Sequence, residues 1–206
     1  MSALSREVPI DPAHTALLII DVQNYCTGAK VSRSEYFQQS LRDTVLPNIQ
    51  RLQSACRRAG LEVVYSVIEN MTGDGRDRSL DYKISGIDVP RGSWEAQVLV
   101  EIAPAEDEVI FRKTSSSVFI STNIDYVLRN LAVRSLIVAG IMTDQCVESA
   151  VRDACDLGYQ VTLVTDACTT DSPERHEQSL IGIRGYCRQR TTNELLAEIA
   201  APTGSS

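Results

Sequence analysis

Three residues of the types that cooperate in nucleophilic catalysis stand far apart in the chain: Asp21, Lys113 and Cys146. A thiol can attack a carbonyl carbon once a base has taken its proton, and a nearby ammonium stabilises the thiolate. Cys146 follows a turn over 140–143, in the first turn of an expected helix, where backbone N–H groups also favour the thiolate. The sequence therefore predicts a lowered thiol pKa. The competing interpretation is a buried cysteine that packs as a small hydrophobe.

Each of these residues stands where a predicted strand or its turn ends. Continuous apolar runs at 16–20 and 135–139 are typical of strands buried on both faces of a parallel sheet. Further strands are predicted over 61–68, 108–111, 159–164 and 188–191. Helical spacing is found over 35–59, 95–101, 122–131, 144–157, 172–185 and 193–200. The alternation predicts a single-domain α/β fold, a doubly wound, mostly parallel sheet with helices on both faces.

Ligands of such sheets bind beyond the carboxyl ends of the strands, so we expect Asp21, Lys113 and Cys146 to meet at one rim. Residues 69–94 have no clear period and are rich in Gly, Asp and Arg. A loop of this length is usually functional, and it is predicted to act as a lid over the site. The domain is expected to span 1–206, with its core at about 14–200 and a frayed tail over 201–206.

Composition excludes several classes of function. The formal net charge is −7, which disfavours binding to nucleic acid or to an anionic membrane. No apolar run is long enough to span a bilayer and no secretory signal is present, so a cytoplasmic protein with free thiols is expected. The six cysteines contain no C-x-x-C pair and there are only two histidines, which argues against a zinc site. Neither G-x-G-x-x-G nor a P-loop motif occurs, and no cofactor is expected.

Several motifs, taken in order, resemble those of the isochorismatase-like cysteine hydrolases. They are LIIDVQN at 18–24, the lysine at 113 ahead of SVF at 117–119, and VAGIMTDQCV at 138–147. Weaker matches follow at 153–154, 157–159 and 166–167. The resemblance spans nearly the whole chain, from about residue 15 to 196, and three separated motifs occur at plausible spacings.

The resemblance implies a catalytic triad with Asp21 as general acid and base, Lys113 as its electrostatic partner and Cys146 as the nucleophile. It implies a cis peptide between Ile141 and Met142, and an oxyanion hole formed by the N–H groups of Met142 and Cys146. The implied reaction is hydrolysis of a C–N bond in a small amide, ureido or N-carbamoyl compound through a thioester. The alternatives are an isochorismatase-type vinyl ether hydrolase and a non-catalytic relative that only binds. A homo-oligomer, dimer or tetramer, is also implied.

The family's nicotinamidases usually hold a metal through an Asp-x-His motif and a further histidine after the second strand. Residues 69–94 contain Asp74, Asp77 and Asp81 but no histidine. We therefore predict that this chain has no catalytic metal and is not a nicotinamidase.

Side chains near the triad or in the lid segment are the candidates for substrate binding. The predicted contacts are Gln23 and Tyr25 after Asp21, Asn70 and Tyr82 in the lid segment, and Phe119 after the lysine loop. Three arginines of the lid segment could pair with a substrate carboxylate, although a solvated or interface position is commoner for each: Arg76, Arg78 and Arg91.

Overall fold

The computed structural model describes residues 5–28, 31 and 33–201. Within them lies one six-stranded sheet, all of whose neighbouring strands are parallel, in the order β3-β2-β1-β4-β5-β6. The strands are β1 Thr15–Ile20, β2 Glu62–Ile68, β3 Val109–Lys113, β4 Ser135–Ile141, β5 Gln160–Thr169 and β6 Arg188–Arg190. The predicted doubly wound parallel sheet is confirmed.

Helices connect the strands. They are α1 Glu35–Ser40, α2 Leu46–Ala59, α3 Leu80–Ile84, α4 Val118–Ser121, α5 Ile124–Asn130, α6 Glu148–Asp156, α7 Pro173–Ile183 and α8 Thr192–Ala200. Two π turns continue into helices, Leu41–Val45 before α2 and Thr143–Val147 before α6. Short 3₁₀ turns cover Pro12–His14, Asn24–Cys26, Trp94–Ala96 and Val100–Ile102. No helix in the described part of the chain has the length and apolarity needed to cross a bilayer.

The sheet is buried between two helical layers because its side chains alternate in direction. Leu17 and Ile19 of β1 belong to a hydrophobic cluster that also contains residues of α1, α2 and α8. Leu18 and Ile20 belong to a second cluster, formed with α4, α5, α6 and α7. Every residue of β1 is buried, which explains why this strand is a continuous apolar run.

Three sequence predictions of secondary structure were wrong in extent or type. The helix predicted over 95–101 is two 3₁₀ turns separated by an extended stretch, because Val98 pairs with Gln23 in an antiparallel bridge. β5 continues to Thr169, since the pairing register with β4 shifts and Gly140 lies opposite Cys168. The helix predicted over 122–131 is α5, which is preceded by α4, with Thr122 and Asn123 between the two. The frayed tail predicted over 201–206 lies outside the described residues except for Ala201.

The order of the strands along the chain reverses direction between β1 and β4. An open α/β sheet has a crevice at its carboxyl edge where such a reversal occurs. Gly140 allows β4 to approach β1 closely there. Its φ is +126°, and a Cβ at this position would lie 2.2 Å from the carbonyl oxygen of Ile20. The next peptide bond, between Ile141 and Met142, is cis.

Candidate active site

Asp21, Lys113 and Cys146 meet at this crevice, as the strand ends predict. Lys113 Nζ lies 2.8 Å from Asp21 Oδ2 and 3.4 Å from Cys146 Sγ. All three are buried: Lys113 is 0%, Asp21 4% and Cys146 6% exposed. An ion pair and a thiol are therefore held together out of water.

The end of β1 holds Asp21 in an uncommon backbone conformation. Its φ is +56°, in the left-handed region that Asp tolerates better than most residues. Two hydrogen bonds with β2 hold it there: Asp21 N–H donates to the Ser66 carbonyl at 3.0 Å, and the Ser66 hydroxyl donates to Asp21 Oδ1 at 2.8 Å. Sequence reasoning missed Ser66, and the signal was a serine inside the apolar run of a buried strand.

Lys113 ends β3, and three acceptors take the protons of its ammonium. It donates to the Tyr82 hydroxyl and to the Ser115 carbonyl, both at 2.8 Å, and to Cys146 Sγ, whereas Asp21 contacts it as an ion pair without a hydrogen bond. Burial acts to lower the pKa of Lys113, but the carboxylate of Asp21 and the sulfur of Cys146 outweigh it, so the pKa lies above its ordinary value. The side chain is a permanent cation in this site.

Cys146 lies in the π turn Thr143–Val147, whose amino-terminal flanking residue is Met142 without a side-chain cap. The prediction of a lowered thiol pKa was wrong: burial raises the pKa of Cys146 to about 12, and Lys113 only partly opposes this. The position of Cys146 in the first helical turn predicted a thiolate. That position gives no information on how deeply the sulfur is buried, and burial decides the thiol pKa here. The resting group is a thiol that needs a base, and Asp21 contacts it.

Side chains of α7 and the β5–α7 loop support the turn before Cys146. His176 Nδ1 lies 2.8 Å from Thr143 Oγ1. The Asp144 carboxylate accepts hydrogen bonds from the Thr170 hydroxyl and the Arg175 guanidinium, both at 2.6 Å. These contacts, which were not predicted, hold both residues that precede Gln145 and Cys146.

Gln23 and Asn70 make contacts with the backbone and the lid segment. Both amide protons of Gln23 are donated, to the Ile68 and Glu95 carbonyls at 2.9 Å, and its amide oxygen accepts from Ile68 N–H. Asn70 is 4% exposed, and its amide donates to Asp88 Oδ1 at 2.7 Å. Both therefore fasten the segment after β2. The amide of Gln23 is fully used in this way, whereas the contact of Asn70 with substrate stays a prediction.

Phe119 packs half-buried against the hydrophobic cluster that contains Cys146. Its ring lies 5.9 Å from the ring of Tyr159, which immediately precedes β5. The predicted contact of Phe119 with substrate stays a prediction.

Tyr82 belongs to the lid segment, and Tyr25 lies in the 3₁₀ turn Asn24–Cys26 that packs beside it. Tyr82 is 1% exposed, and its hydroxyl contacts Lys113 directly, so it is part of the polar network rather than a pocket wall. Tyr25 is half-buried and packs against the cluster of Ile68, Tyr82, Val89 and Ala96. The predicted contact of Tyr25 with substrate stays a prediction.

Several charged residues of the lid segment bind one another or the backbone. Arg76 pairs with Asp74, and Arg78 donates to the Gly75 and Ile87 carbonyls. Asp77 accepts from the N–H groups of Met71 and Thr72. In the described residues, no three His, Cys, Asp or Glu side chains are grouped so that they could hold a metal ion.

Comparison with known proteins agrees with this geometry. The model of the isochorismatase domain family matches residues 15–194. The chain belongs to the isochorismatase family. That match includes all three strand ends that bring Asp21, Lys113 and Cys146 together.

Solved structures of isochorismatase-family proteins share the fold over nearly their whole length. A cysteine hydrolase from Pseudomonas syringae pv. phaseolicola is 28% identical, with a TM-score of 0.84 over 97% of this chain and 98% of that one. An isochorismatase family protein from Desulfovibrio vulgaris is 26% identical, with a TM-score of 0.77 over 91% and 98%. N-carbamoylsarcosine amidase from Thermoplasma acidophilum is 21% identical, with a TM-score of 0.73 over 93% and 99%, and shows likeness of fold alone.

Proposed function

We propose that this isochorismatase-family chain is a cysteine hydrolase that cleaves a C–N bond in a small amide, ureido or N-carbamoyl compound. The observation that supports this is the buried contact of Cys146 Sγ with Lys113 Nζ at 3.4 Å, while the same ammonium lies 2.8 Å from Asp21. A nucleophile, a base and a fixed cation are the groups that acyl transfer through a thioester needs.

In the proposed first half-reaction, the Asp21 carboxylate takes the Cys146 proton as the sulfur attacks the carbonyl carbon. The N–H groups of Met142 and Cys146 stabilise the oxyanion. Asp21 then gives its proton to the departing nitrogen, which leaves as amine or ammonia and forms the thioester. In the second half-reaction, Asp21 deprotonates a water that attacks the thioester, and the proton returns to the sulfur. The raised thiol pKa makes the base essential, since little free thiolate exists at neutral pH.

Replacement of the nucleophile tests this proposal. We expect Cys146→Ala to reduce ammonia release from the active member of a panel of primary amides, ureido acids and N-carbamoyl amino acids by at least about 10³-fold. Cys56→Ala is the matched control, because Cys56 is another buried thiol but lies in α2, away from the crevice. Activity that persists in Cys146→Ala and depends on the folded chain would disprove the assignment.

Two other functions are outcomes of the same assay. Release of pyruvate from isochorismate, coupled to lactate dehydrogenase and unaffected by Cys146→Ala, would indicate vinyl ether hydrolysis. A Cys146 thiol that resists alkylation, with no panel member turned over, would favour a binding protein. We also propose a homo-oligomer, for which the exposed apolar side chains Leu80, Ile84 and Trp94 of the lid region provide support.

A further inference from the structure

The hydroxyl of Tyr82 lies in the middle of the polar network around the thiol. It is 2.8 Å from Lys113 Nζ, 2.9 Å from the Ser115 carbonyl oxygen and 3.7 Å from Cys146 Sγ. The residue is 1% exposed, so no bulk water competes for these contacts. A hydroxyl carries one proton and two lone pairs, and three neighbours compete for them.

Lys113 donates its three ammonium protons to three acceptors. The Tyr82 hydroxyl and the Ser115 oxygen each lie at 2.8 Å, and Cys146 Sγ lies at 3.4 Å. Asp21 Oδ2 is 2.8 Å from the same ammonium as an ion pair without a hydrogen bond. The sulfur thus has one donor, and a thiolate formed there has lone pairs free to accept from a second.

Tyr82 can supply that donor at little cost. While the sulfur is a thiol, the hydroxyl donates to the Ser115 oxygen, which also accepts from Lys113. If the hydroxyl proton rotates towards the sulfur, the Ser115 oxygen keeps its bond from Lys113. The oxygen of Tyr82 continues to accept from Lys113 in both orientations, so no buried polar group loses its last partner.

We propose that Tyr82 is a positioning residue of this site, which fixes the Lys113 ammonium and turns its hydroxyl proton to the Cys146 sulfur when the thiol ionises. The thiol proton passes to Asp21, and Tyr82 keeps its own proton and changes only its acceptor. Burial, together with the negative charges of Cys146 and Asp21, raises the pKa of Tyr82, so it remains a donor throughout. The proposal rests on the proposed function only in taking Cys146 as the nucleophile.

The lid segment is what brings Tyr82 to this position. The Ser79 hydroxyl caps α3 by accepting from Tyr82 N–H at 3.2 Å, and Ser79 N–H donates to the Thr114 carbonyl at 2.9 Å. α3 is thereby fastened to the residue that follows Lys113. The lid therefore contributes to the chemistry of the thiol as well as covering it.

The test measures thiolate formation at Cys146 without any substrate. Alkylation by iodoacetamide is followed at the Cys146 peptide by mass spectrometry at pH 8, in chains carrying Phe, Tyr or 3-fluorotyrosine at position 82. Fluorotyrosine is the stronger donor with nearly the same shape. We expect the rates to rise in the order Phe, Tyr, fluorotyrosine, with Tyr82→Phe about tenfold slower than wild type.

The control is Tyr65→Phe. Tyr65 is also fully buried, but its hydroxyl contacts Gln53 and Glu108 away from Cys146, so the alkylation rate should not change. A Tyr82→Phe chain that reacts as fast as wild type, or a fluorotyrosine chain that reacts no faster, would overturn the proposal. If Tyr82→Phe fails to fold, the comparison of tyrosine with fluorotyrosine at position 82 still decides the question, because both side chains carry the hydroxyl. A Cys146 that alkylates in the expected order but hydrolyses no amide would refute the proposed function alone.

Discussion

At the scale of single residues, the buried ion pair is the most costly feature of the site. Lys113 is fully buried against Asp21, and each charge is tolerable only because the other is present. Charge pairs of this kind rarely stabilise a fold more than apolar residues of similar size would. Their retention at the end of two strands fits the needs of proton transfer better than those of stability.

Removal of one charge should therefore destabilise the chain far more than removal of both. We expect Lys113→Met to lower the free energy of unfolding by about 3–5 kcal/mol, because the Asp21 carboxylate is left buried without a cation. The double variant Asp21→Asn with Lys113→Met should recover at least half of this loss. Asn is the appropriate partner change, since it tolerates the φ of +56° at this position.

Urea unfolding followed by circular dichroism measures both variants. Lys83→Met is the control for the change from lysine to methionine itself. The ammonium of Lys83 is exposed and donates to the Arg76 carbonyl, so its loss leaves no buried charge unpaired. If the double variant is no more stable than Lys113→Met, then the loss arises from packing or from the Tyr82 and Ser115 contacts and not from an uncompensated charge.

At the scale of secondary-structure elements, Gly140 determines how closely β4 and β1 approach at the crevice. We expect Gly140→Ala to destabilise the protein by more than about 4 kcal/mol or to prevent folding, because the new Cβ would lie 2.2 Å from the Ile20 carbonyl oxygen. Asp21 follows Ile20 directly, so any folded variant should also lose hydrolytic activity.

Gly158→Ala separates the steric cause from the backbone cause. Gly158 also has a positive φ, +93°, but nothing lies within 4 Å of the position that a Cβ would take there, so its substitution should cost only about 1–2 kcal/mol. Thermal unfolding of the two variants gives the comparison. Equal losses at the two positions would mean that the close approach of β4 to β1 is not what Gly140 provides.

The elements were predictable from sequence wherever local pattern determines them. The apolar runs of β1 and β4 must be buried on both faces, so they indicate a parallel sheet and bring Asp21 and Cys146 to one edge. What could not be predicted depends on the path of the lid segment. The roles of Tyr82 and Asn70, and the burial that raises the thiol pKa, follow from contacts between residues far apart in sequence.

At the scale of the whole molecule, the buried thiols make stability sensitive to alkaline pH. Burial raises the pKa of four cysteines from an ordinary value of 9.0 to about 12, namely Cys26, Cys56, Cys146 and Cys187. It raises the pKa of Cys168 further still. Between these two values the unfolded chain loses protons that the folded chain keeps. The contribution of these thiols to stability is therefore constant below about pH 8 and falls as the pH rises above 9, by about 1.4 kcal/mol per pH unit for each thiol.

Five such thiols together remove up to about 7 kcal/mol per pH unit, which is comparable to the whole stability of an ordinary domain. We expect the urea midpoint to be flat from pH 7 to 8.5 and to fall steeply above pH 9, with unfolding without urea by about pH 10–11. In Cys56→Ala the protein should be less stable at neutral pH, yet its stability should decline less steeply by about one fifth of the thiol contribution. Ionisation of exposed tyrosines is the same in both chains, so the difference in slope isolates one thiol. Parallel declines in the two chains would show that Cys56 ionises as readily in the folded state as in the unfolded one, which its complete burial in α2 argues against.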